Sequence, residues 1–561
     1  MRGPAADSDA RARLGARVLL VAIVLLAAAL RLARPGHSPP GLHVDAAANA
    51  WNAACLLETG CDWHGKAWPI FYSRGFGENQ STLYYYALMP FQAVAGMSAA
   101  TSALPSALGG VLSVLLLFAV GRRLFDRATG LVAAAFLALA PWHLLLSRWG
   151  HESGLVPLLT LLPLWALLAA GLPVGVARSD RPRVGRSFLA GALLGLACYG
   201  YYAMRLFLPV LLAALVLANA PEWRAIARER IGRRALLALG LGLAVTLGPL
   251  AVRHLTDPEI SKRGREFLVW SESDSLAARA GKVAERYVEH FGPGFLFARG
   301  DTWRLHALPG SGPLPWYALP LLLLGAGFAV SGSRASPAAR AMLAWVLVYP
   351  IADVVTRHPS LHLLRSAPGL VGLSLLAAVG AVRATAWLAE RRRAWAWAAA
   401  TVLAVAVGAS GFTFGRAFFG AYDRDPAVRH YFNADLLEAS VWLRDRLDRF
   451  DAVFFSCRDS AALHQPFAIT VVGLRYDPKR WFRDVREVEP RQDTDVIQRY
   501  GKVRFLFDAS DLRALRELER NGRPDRAVFV LRPGEWPDRT PVHTIRHPDG
   551  SEAFLIYEET L

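Results

Sequence analysis

The chain has 561 residues, of which 53% are hydrophobic and only 19% charged, and its formal net charge is +17. This composition predicts a membrane protein with several spans and a soluble part. The charge does not indicate a nucleic-acid partner, because the arginines lie in short loops between hydrophobic segments, where the membrane-orientation rule accounts for them. Four cysteines exclude a disulfide-based scaffold.

Apolar segments long enough to cross a membrane recur from residue 16 to about 414 and then stop. The arginine-rich clusters, if all cytoplasmic, must be separated by even numbers of spans. This parity predicts eleven spans, with the N-terminus inside and residues 34–102 forming a long first external loop. The predicted spans are 16–33, 103–120, 128–146, 153–171, 187–202, 205–219, 235–253, 314–331, 341–356, 362–381 and 395–413.

Two segments are ambiguous in length. The aromatic segment Leu83–Met97 is short for a crossing, and counting it would place the next arginine cluster outside, so it predicts a helix in the membrane interface. Residues 188–218 have basic loops on both sides, so parity requires two short spans that turn near Tyr201–Arg205.

The first external loop carries Asp45 about ten residues after the first span. Asp45 precedes a helix-forming segment, so it is the N-cap of that helix, a catalytic base held near the membrane surface, or both. Lys66, Arg74 and Glu78 flank the interfacial helix, where a lipid phosphate would lie, and are candidates for binding it.

The short external tips carry the other candidates. Glu152 follows the third predicted span, either facing a polar cavity or stabilised by a helix dipole. Basic residues on the outer face oppose the orientation bias, which indicates binding of a phosphate or pyrophosphate, although aromatic-belt residues with a snorkelling arginine are a common alternative. The candidates are the basic residues Arg205, His362 and Arg365, together with the aromatic residue Tyr202.

Metal-ligand spacings, Walker loops and dinucleotide glycine motifs are missing from the external loops. The sequence therefore predicts no metal and no cofactor, and a donor activated by a lipid phosphate rather than by a nucleotide.

The tail, residues 415–561, predicts an α/β domain outside the membrane, whereas residues 1–414 form the transmembrane domain. Predicted strands are DAVFFS, FAITVVG, VRFLFD, RAVFVL and EAFLIYE, with helices near 433–449 and 509–520 and a terminal hairpin turn at 548–550. The tail has no catalytic motif, so its expected role is acceptor binding or a lid.

The segments HVDAAANAWNAACLLETGCDWHGKAWPIFY and GENQSTLYYYALMPFQAVAG resemble the first external loop of bacterial glycosyltransferase family 39. This is the protein mannosyltransferase-like and aminoarabinose transferase-like branch of the GT-C superfamily. The resemblance continues through SALPSALGGVLSVLLLFAVGRRLF, LALAPWHLLLSRWGHE and GLACYGYYAMRLFLP, and covers nearly all of residues 30–415.

The resemblance implies a polytopic α-helical GT-C enzyme of the bacterial cytoplasmic membrane. It would transfer a sugar from a polyprenyl phosphate to a lipid, glycan or protein acceptor on the external face, usually with inversion. By resemblance Asp45 is the base or the carboxylate that orients the acceptor, and Glu152 is an approximate match to an assisting carboxylate. Many relatives have Glu after this Asp, whereas this chain has Ala46.

Two other functions are compatible with such a chain. A lipid or glycolipid transporter would have charged or broken helices at mid-membrane and an internal repeat, and neither is evident. A catalytically inactive GT-C scaffold is the second alternative, because the paired carboxylate after Asp45 is missing.

Overall fold

The computed structural model describes residues 4–560 except 77–78, 177–180, 261–267, 302, 304–305, 307, 309–310, 459–464, 485, 491–494 and 508–525. The chain forms two compact units. The first, here the helical unit, contains Met1–Ala33, Ser106–Ser147 and Glu152–Gly415. The second, here the sheet unit, contains Arg34–Pro105, Arg148–His151 and Arg416–Leu561.

The helical unit is built from long apolar helices joined by short segments. Its helices are Pro4–Leu32, Arg127–Leu139, Pro141–Leu146, Val156–Ala169, Val184–Ala197, Met204–Ala218, Ala220–Arg228, Arg230–Thr256, Leu276–Glu289, Ala318–Gly332, Pro337–Val348, Ile351–Val354, Pro368–Arg391 and Arg393–Arg416, with a 3₁₀ turn at Glu152–Leu155 and a π-turn at Gly294–Arg299. The helix Ala99–Leu124 belongs in part to each unit.

Among the described residues, seven helices are long and apolar enough to cross a membrane, so the chain is a multi-pass membrane protein. An eighth span would be the pair Met204–Ala218 and Ala220–Arg228, which is bent by 82°. Three further predicted spans correspond to shorter apolar helices, Arg127–Leu139, Val184–Ala197 and Ala318–Gly332. Since an α-helix rises about 1.5 Å per residue, helices this short do not cover a bilayer core of about 30 Å, and the count of eleven is not confirmed.

Two helices of the helical unit pack backbone to backbone through glycines. A Cβ added at Gly242 would lie 2.0 Å from the carbonyl oxygen of Phe188, and one added at Gly191 would lie 2.0 Å from that of Leu239. Only a residue without a side chain permits this approach, which is the packing that membrane helices use where solvent does not drive association.

The sheet unit combines the first-loop segment with the tail. Its helices are Val44–Thr59, Leu83–Ala95, Pro426–Tyr431, Ala434–Arg444, Pro466–Leu474 and Pro478–Trp481, with single turns at Ala417–Ala421, Tyr422–Arg424 and Leu447–Arg449. A small antiparallel pair is formed by β1 (Ser73–Arg74) and β2 (Asn79–Gln80). The larger sheet contains β3 (Ala452–Ser456), β4 (Arg486–Pro490), β5 (Asp495–Tyr500), β6 (Val503–Leu506), β7 (Arg526–Leu531), β8 (His543–Arg546) and β9 (Glu552–Thr560).

The order in the larger sheet is β4-β5-β6-β3-β7-β9-β8. β3 is the central strand and pairs in parallel with β6 on one side and β7 on the other, whereas the remaining pairs are antiparallel. Phe454 and Phe529 stack face to face on β3 and β7, with ring centroids 4.8 Å apart. Because the chain leaves β3 for one neighbour and later returns to the other, this sheet has a topological switch point at β3.

The tail contains both helices and strands, as expected for an α/β domain. Several of the predicted elements differ from those in the structure. FAITVVG is not a strand but lies in the helix Pro466–Leu474, which begins with proline and is buried all round. A short, wholly apolar run has no periodicity that separates the two structures. The sequence missed β4, β5 and β8, and the predicted helix 509–520 lies outside the described residues. The expected terminal hairpin joins β8 and β9, with Gly550 at a φ of 88°.

We expect Gly242→Ala to disrupt the helical unit, because its methyl group would occupy the space of the Phe188 carbonyl. Yield and apparent melting temperature of the detergent-solubilised protein should both fall. Gly240→Ala is the matched control two residues away in the same helix, where nothing lies within 4 Å of the added carbon. It should be neutral or stabilising by up to about 1 kcal/mol, since alanine favours helix over glycine. Equal behaviour of the two variants would contradict the close-packing argument.

Candidate active site

Asp45 lies in the first turn of the helix Val44–Thr59. The N-cap of this helix is His43, whose Nδ1 accepts a hydrogen bond from the Asp45 backbone N–H at 3.3 Å. The alternative in which Asp45 is the N-cap is therefore wrong. Its carboxylate instead lies in the first turn, beside the positive end of the helix dipole.

Two imidazoles and an amide surround the Asp45 carboxylate. Oδ2 lies 3.5 Å from His43 Nδ1 and 3.7 Å from His151 Nε2, and Oδ1 accepts a hydrogen bond of 3.4 Å from Gln80 Nε2. The carboxylate side chain is 30% exposed, whereas those of His43 and His151 are 15% and 7% exposed. These contacts are at or beyond the length of a good hydrogen bond, so the carboxylate is positioned but not saturated.

Aromatic packing holds the two histidines in place. Trp149 stacks on His151, with centroids 4.8 Å apart and rings inclined by 19°. It also meets His43 edge-on at 5.1 Å, and Phe432 packs edge-on against both His43 and Trp149. Such pairs contribute about 0.5–1.5 kcal/mol each beyond their area. Both imidazoles are therefore fixed relative to the carboxylate.

The amide of Gln80 is oriented by a second contact. The hydroxyl of Tyr85 donates to Gln80 Oε1 at 3.0 Å, which leaves the Gln80 NH₂ group directed at Asp45. Gln80 belongs to β2, where it pairs with Ser73 of β1. The proximity of Gln80, His43 and His151 to Asp45 could not be read from their scattered sequence positions.

Arg148 supports the segment that leads to Asp45. Its guanidinium donates to the carbonyl oxygens of Ser38 at 2.7 Å and Arg34 at 3.3 Å, and it lies over the ring of Phe419 at 5.0 Å. Burial lowers the pKa of Arg148 to about 10, so the side chain stays charged at neutral pH. Arg148 therefore positions the chain before Asp45.

The other candidates of the first loop are placed differently. Lys66 is exposed, donates to the carbonyl oxygen of Tyr72 at 3.1 Å and lies over the Tyr72 ring at 3.9 Å. Arg74 is exposed on β1. Glu78 lies outside the described residues. The predicted phosphate-binding roles of these three residues stay predictions.

The helical unit has a cavity of about 600 Å³ that brings together three of the predicted residues, Tyr202, Arg205 and Arg365. Arg205 lies over the Tyr202 ring at 4.7 Å and contacts His254 Nε2 through its NH1 at 3.3 Å. Arg365 NH1 donates to Thr356 Oγ1 at 2.8 Å. The rest of the wall is largely apolar, including Leu206, Leu247, Leu250 and Val355. Two guanidinium groups in an apolar cavity suit the head of an anionic lipid.

Glu152 and His362 are both buried, but neither lines this cavity. Glu152 begins the 3₁₀ turn that leads into the helix Val156–Ala169. His362 lies instead beside Asp301 and His306, and one possible ligand atom from each of the three falls within 4.8 Å of the others. The sequence missed this group because its members lie in two loops without a metal-binding spacing.

The chemistry of the Asp301–His306–His362 group matches the donor set of divalent transition metals. Asp301 Oδ2 also accepts from His306 Nδ1 at 2.6 Å, which is the arrangement that orients a histidine for ligation through Nε2. Burial opposes ionisation of Asp301, but hydrogen bonds from His306 and from the Trp303 and Leu363 backbones outweigh it, and its pKa is lowered. The expected absence of a metal stays a prediction.

Comparisons with known proteins identify related folds. Residues 79–250 match the dolichyl-phosphate-mannose-protein mannosyltransferase family. The apo structure of ArnT from Cupriavidus metallidurans is 14% identical, with 98% of each chain covered and a TM-score of 0.55. ArnT bound to undecaprenyl phosphate is also 14% identical, covering 97% of this chain and 98% of its own, with a TM-score of 0.50.

A third structure is the Archaeoglobus fulgidus oligosaccharyltransferase tethered to an acceptor peptide, which is 14% identical with a TM-score of 0.50. The match covers 82% of this chain and 63% of the oligosaccharyltransferase. No protein of curated function matches the chain at a significant level.

The chain shares its fold with ArnT. The family match and the structural matches confirm the expected resemblance to the protein mannosyltransferase and ArnT type, together with the predicted fold class. The family match is confined to residues 79–250, so it includes Gln80, Glu152, Tyr202 and Arg205 but not Asp45.

We expect Asp301→Asn to lower the free energy of unfolding by about 1–3 kcal/mol at pH 7, since a buried charged hydrogen bond is lost. The apparent melting temperature of the solubilised protein should fall accordingly. A carboxyl whose pKa is lowered by folding stabilises the protein above its ordinary pKa of about 3.9, and this contribution is lost as the pH falls through the lower folded value. The difference from wild type should therefore shrink in acid. Glu285→Gln, an exposed carboxylate-to-amide control, should melt like wild type, and equal melting of all three proteins at pH 7 would refute the assignment.

Proposed function

We propose that the chain is a membrane glycosyltransferase that moves a sugar from a polyprenyl phosphate to a hydroxyl of a lipid, glycan or protein acceptor. The Asp45 carboxylate, directed by Gln80 and held between two fixed imidazoles at a helix N-terminus, is the observation that carries this proposal. The reaction takes place on the external face of the cytoplasmic membrane, with the N-terminus cytoplasmic and the tail external.

The cavity with Arg205 and Arg365 holds the donor. Its apolar wall accepts the first isoprene units, and the two guanidinium groups bind the phosphate. The structural relative ArnT binds undecaprenyl phosphate, which supports a polyprenyl carrier for this chain as well.

Asp45 accepts the proton of the acceptor hydroxyl while the hydroxyl oxygen forms a bond to the anomeric carbon. The bond from that carbon to the phosphate oxygen breaks, and its electron pair leaves with the phosphate. A single displacement of this kind inverts the anomeric centre. A sugar hydroxyl is a weak nucleophile without a base in hydrogen-bond reach, and the departing phosphate gains charge that Arg205 and Arg365 stabilise.

His151 and Gln80 compensate for the carboxylate that many relatives have after this Asp. Gln80 orients Oδ1 of Asp45, and His151 lies beside Oδ2, so the carboxylate is directed without a neighbouring acid. Ala46 is fully buried, and no acidic group could occupy its position without losing solvation. Glu152 remains the proposed assisting carboxylate.

We expect Asp45→Asn to reduce sugar transfer by about 10²–10⁴-fold, because an amide cannot accept the proton. Expression and melting temperature should stay near wild type, since the amide is isosteric and the site is 30% exposed. Glu58→Gln is the matched control, because this half-exposed carboxylate ends the same helix. Transfer from labelled polyprenyl-phosphate sugar in purified protein is the measurement, and wild-type turnover by Asp45→Asn would remove Asp45 from the mechanism.

We expect Arg365→Gln and Arg205→Gln each to lower kcat/KM for the donor by about tenfold or more, because a charge-assisted contact to phosphate is lost. Arg357→Gln should stay within about twofold, since Arg357 is exposed on the same segment as Arg365 and does not line the cavity. Initial rates at varied donor concentration measure this effect. Unchanged donor kinetics in both test variants would move the phosphate site elsewhere.

A further inference from the structure

The sheet unit contains a cavity of about 420 Å³ that the proposed reaction does not use. It lies where the parallel strands β3 and β7 end, because Ser456 is the last residue of β3 and Arg532 directly follows β7. Ligands of open α/β sheets bind outside the carboxyl ends of the strands, at the switch point of the topology. We call this space the tail pocket.

The floor of the tail pocket is a fixed carboxylate. Glu535 is only 3% exposed, and its Oε1 accepts from Ser456 Oγ at 2.9 Å while Oε2 accepts from the Arg532 backbone N–H at 2.7 Å. Arg458 NH1 lies 3.7 Å from the same Oε1, and the Arg458 side chain is 48% exposed. The floor thus presents an acceptor and a cation side by side.

Another part of the pocket lining also pairs an arginine with a carboxylate. Arg429 donates through NH2 to Oδ1 of Asp435, and its buried Nε has no hydrogen-bond partner among the described residues. His547 Nδ1 lies 3.2 Å from Oδ2 of the same aspartate. The pocket therefore alternates acceptors with donors and contains three arginines, Arg429, Arg458 and Arg532, against two carboxylates.

This lining selects a chemical class of ligand. Closely spaced donors and acceptors satisfy neighbouring hydroxyl groups, each of which both donates and accepts. The excess of guanidinium groups favours an anion, which arginine recognises through planar paired hydrogen bonds. A sugar ring that carries a carboxylate or a phosphate has both properties.

The wall segment of the tail pocket also contacts the turn before Asp45. Phe432 O accepts from the Leu42 backbone N–H at 2.6 Å, and Asn433 Nδ2 donates to Leu42 O at 3.2 Å. Asn433, which lines the pocket, has a φ of 48°, a left-handed conformation that non-glycine residues adopt at a cost. The segment Phe432–Asn433 therefore has a fixed conformation. Its Asn433 lines the tail pocket, and both residues contact the turn before Asp45.

We infer that the tail pocket is a subsite for the acceptor, and that it binds a sugar ring bearing a carboxylate or phosphate group. That the ligand is the acceptor rests on the proposed function, whereas the chemical class of the ligand follows from the pocket lining alone. A sugar bound in the tail pocket would contact Asn433, which also holds the turn before Asp45 through Leu42. The same segment would then position both the acceptor and the base.

The experiment measures binding of D-glucuronate and of D-glucose 6-phosphate to the full-length protein in detergent, by saturation-transfer difference NMR and calorimetry. Methyl glucoside and inorganic phosphate are the comparison probes. We expect at least one of the anionic sugars to bind more tightly than either comparison probe. Arg458→Gln should weaken that binding by about tenfold, since it removes a charged donor. Because Arg458 is half-exposed, we expect little effect on stability.

Arg539→Gln is the matched control. Arg539 is 52% exposed and pairs with Glu559 at 3.4 Å, as Arg458 pairs with Glu535, but it does not line the pocket. It should bind the probes like wild type. In the transfer assay, Arg458→Gln should raise the acceptor KM and leave the donor KM unchanged.

Three results would overturn the inference: no binding of either anionic sugar, equal binding of inorganic phosphate alone, or equal binding by wild type and Arg458→Gln. The proposed function fails separately. Probe binding by a protein that transfers no sugar would refute the transferase and keep the ligand site, whereas transfer without probe binding would refute the tail pocket alone.

Discussion

The backbone contact between Gly41–Leu42 and Phe432–Asn433 is the constraint on which the geometry around Asp45 depends. The Leu42 backbone N–H donates to Phe432 O, Asn433 donates back to Leu42 O, and a Cβ on Gly41 would lie 2.4 Å from Phe432 O. This contact joins chain segments about 390 residues apart. It sets where His43 lies, and His43 caps the helix that carries Asp45.

Around that contact, polar and aromatic groups act together. The imidazoles of His43 and His151 are held by Trp149, and the carboxylate between them receives the Gln80 amide. A base that must take a proton from a sugar hydroxyl gains from fixed neighbours, since a carboxylate already oriented needs no rearrangement as the bond forms. Under the proposed function, the missing acid after Asp45 changes how the base is oriented and does not remove the base.

The helical unit is organised by close helix packing and contains an apolar cavity. Its helices approach through glycines such as Gly191 and Gly242. The guanidinium groups of Arg205 and Arg365 belong to the lining of the largely apolar cavity. Guanidinium groups recognise phosphate and carboxylate through paired hydrogen bonds, so this lining suits an anionic occupant. The tail pocket, in contrast, is polar. Its Arg458 pairs with Glu535 and its Arg429 with Asp435, at one end of the sheet.

The sequence by itself determined the membrane class and the α/β tail, since hydropathy and local motifs act over short stretches of chain. It also selected Asp45, Arg205 and Arg365 as site residues, and their roles stay predictions. It misassigned the short apolar run FAITVVG, because burial on all sides removes periodicity. Only the tertiary structure decided that His43 rather than Asp45 caps the helix, that Gln80 and His151 meet at Asp45, and that the tail forms a pocket beside that turn. Those contacts join residues tens to hundreds of positions apart, and no local pattern records which distant segments the packing brings together.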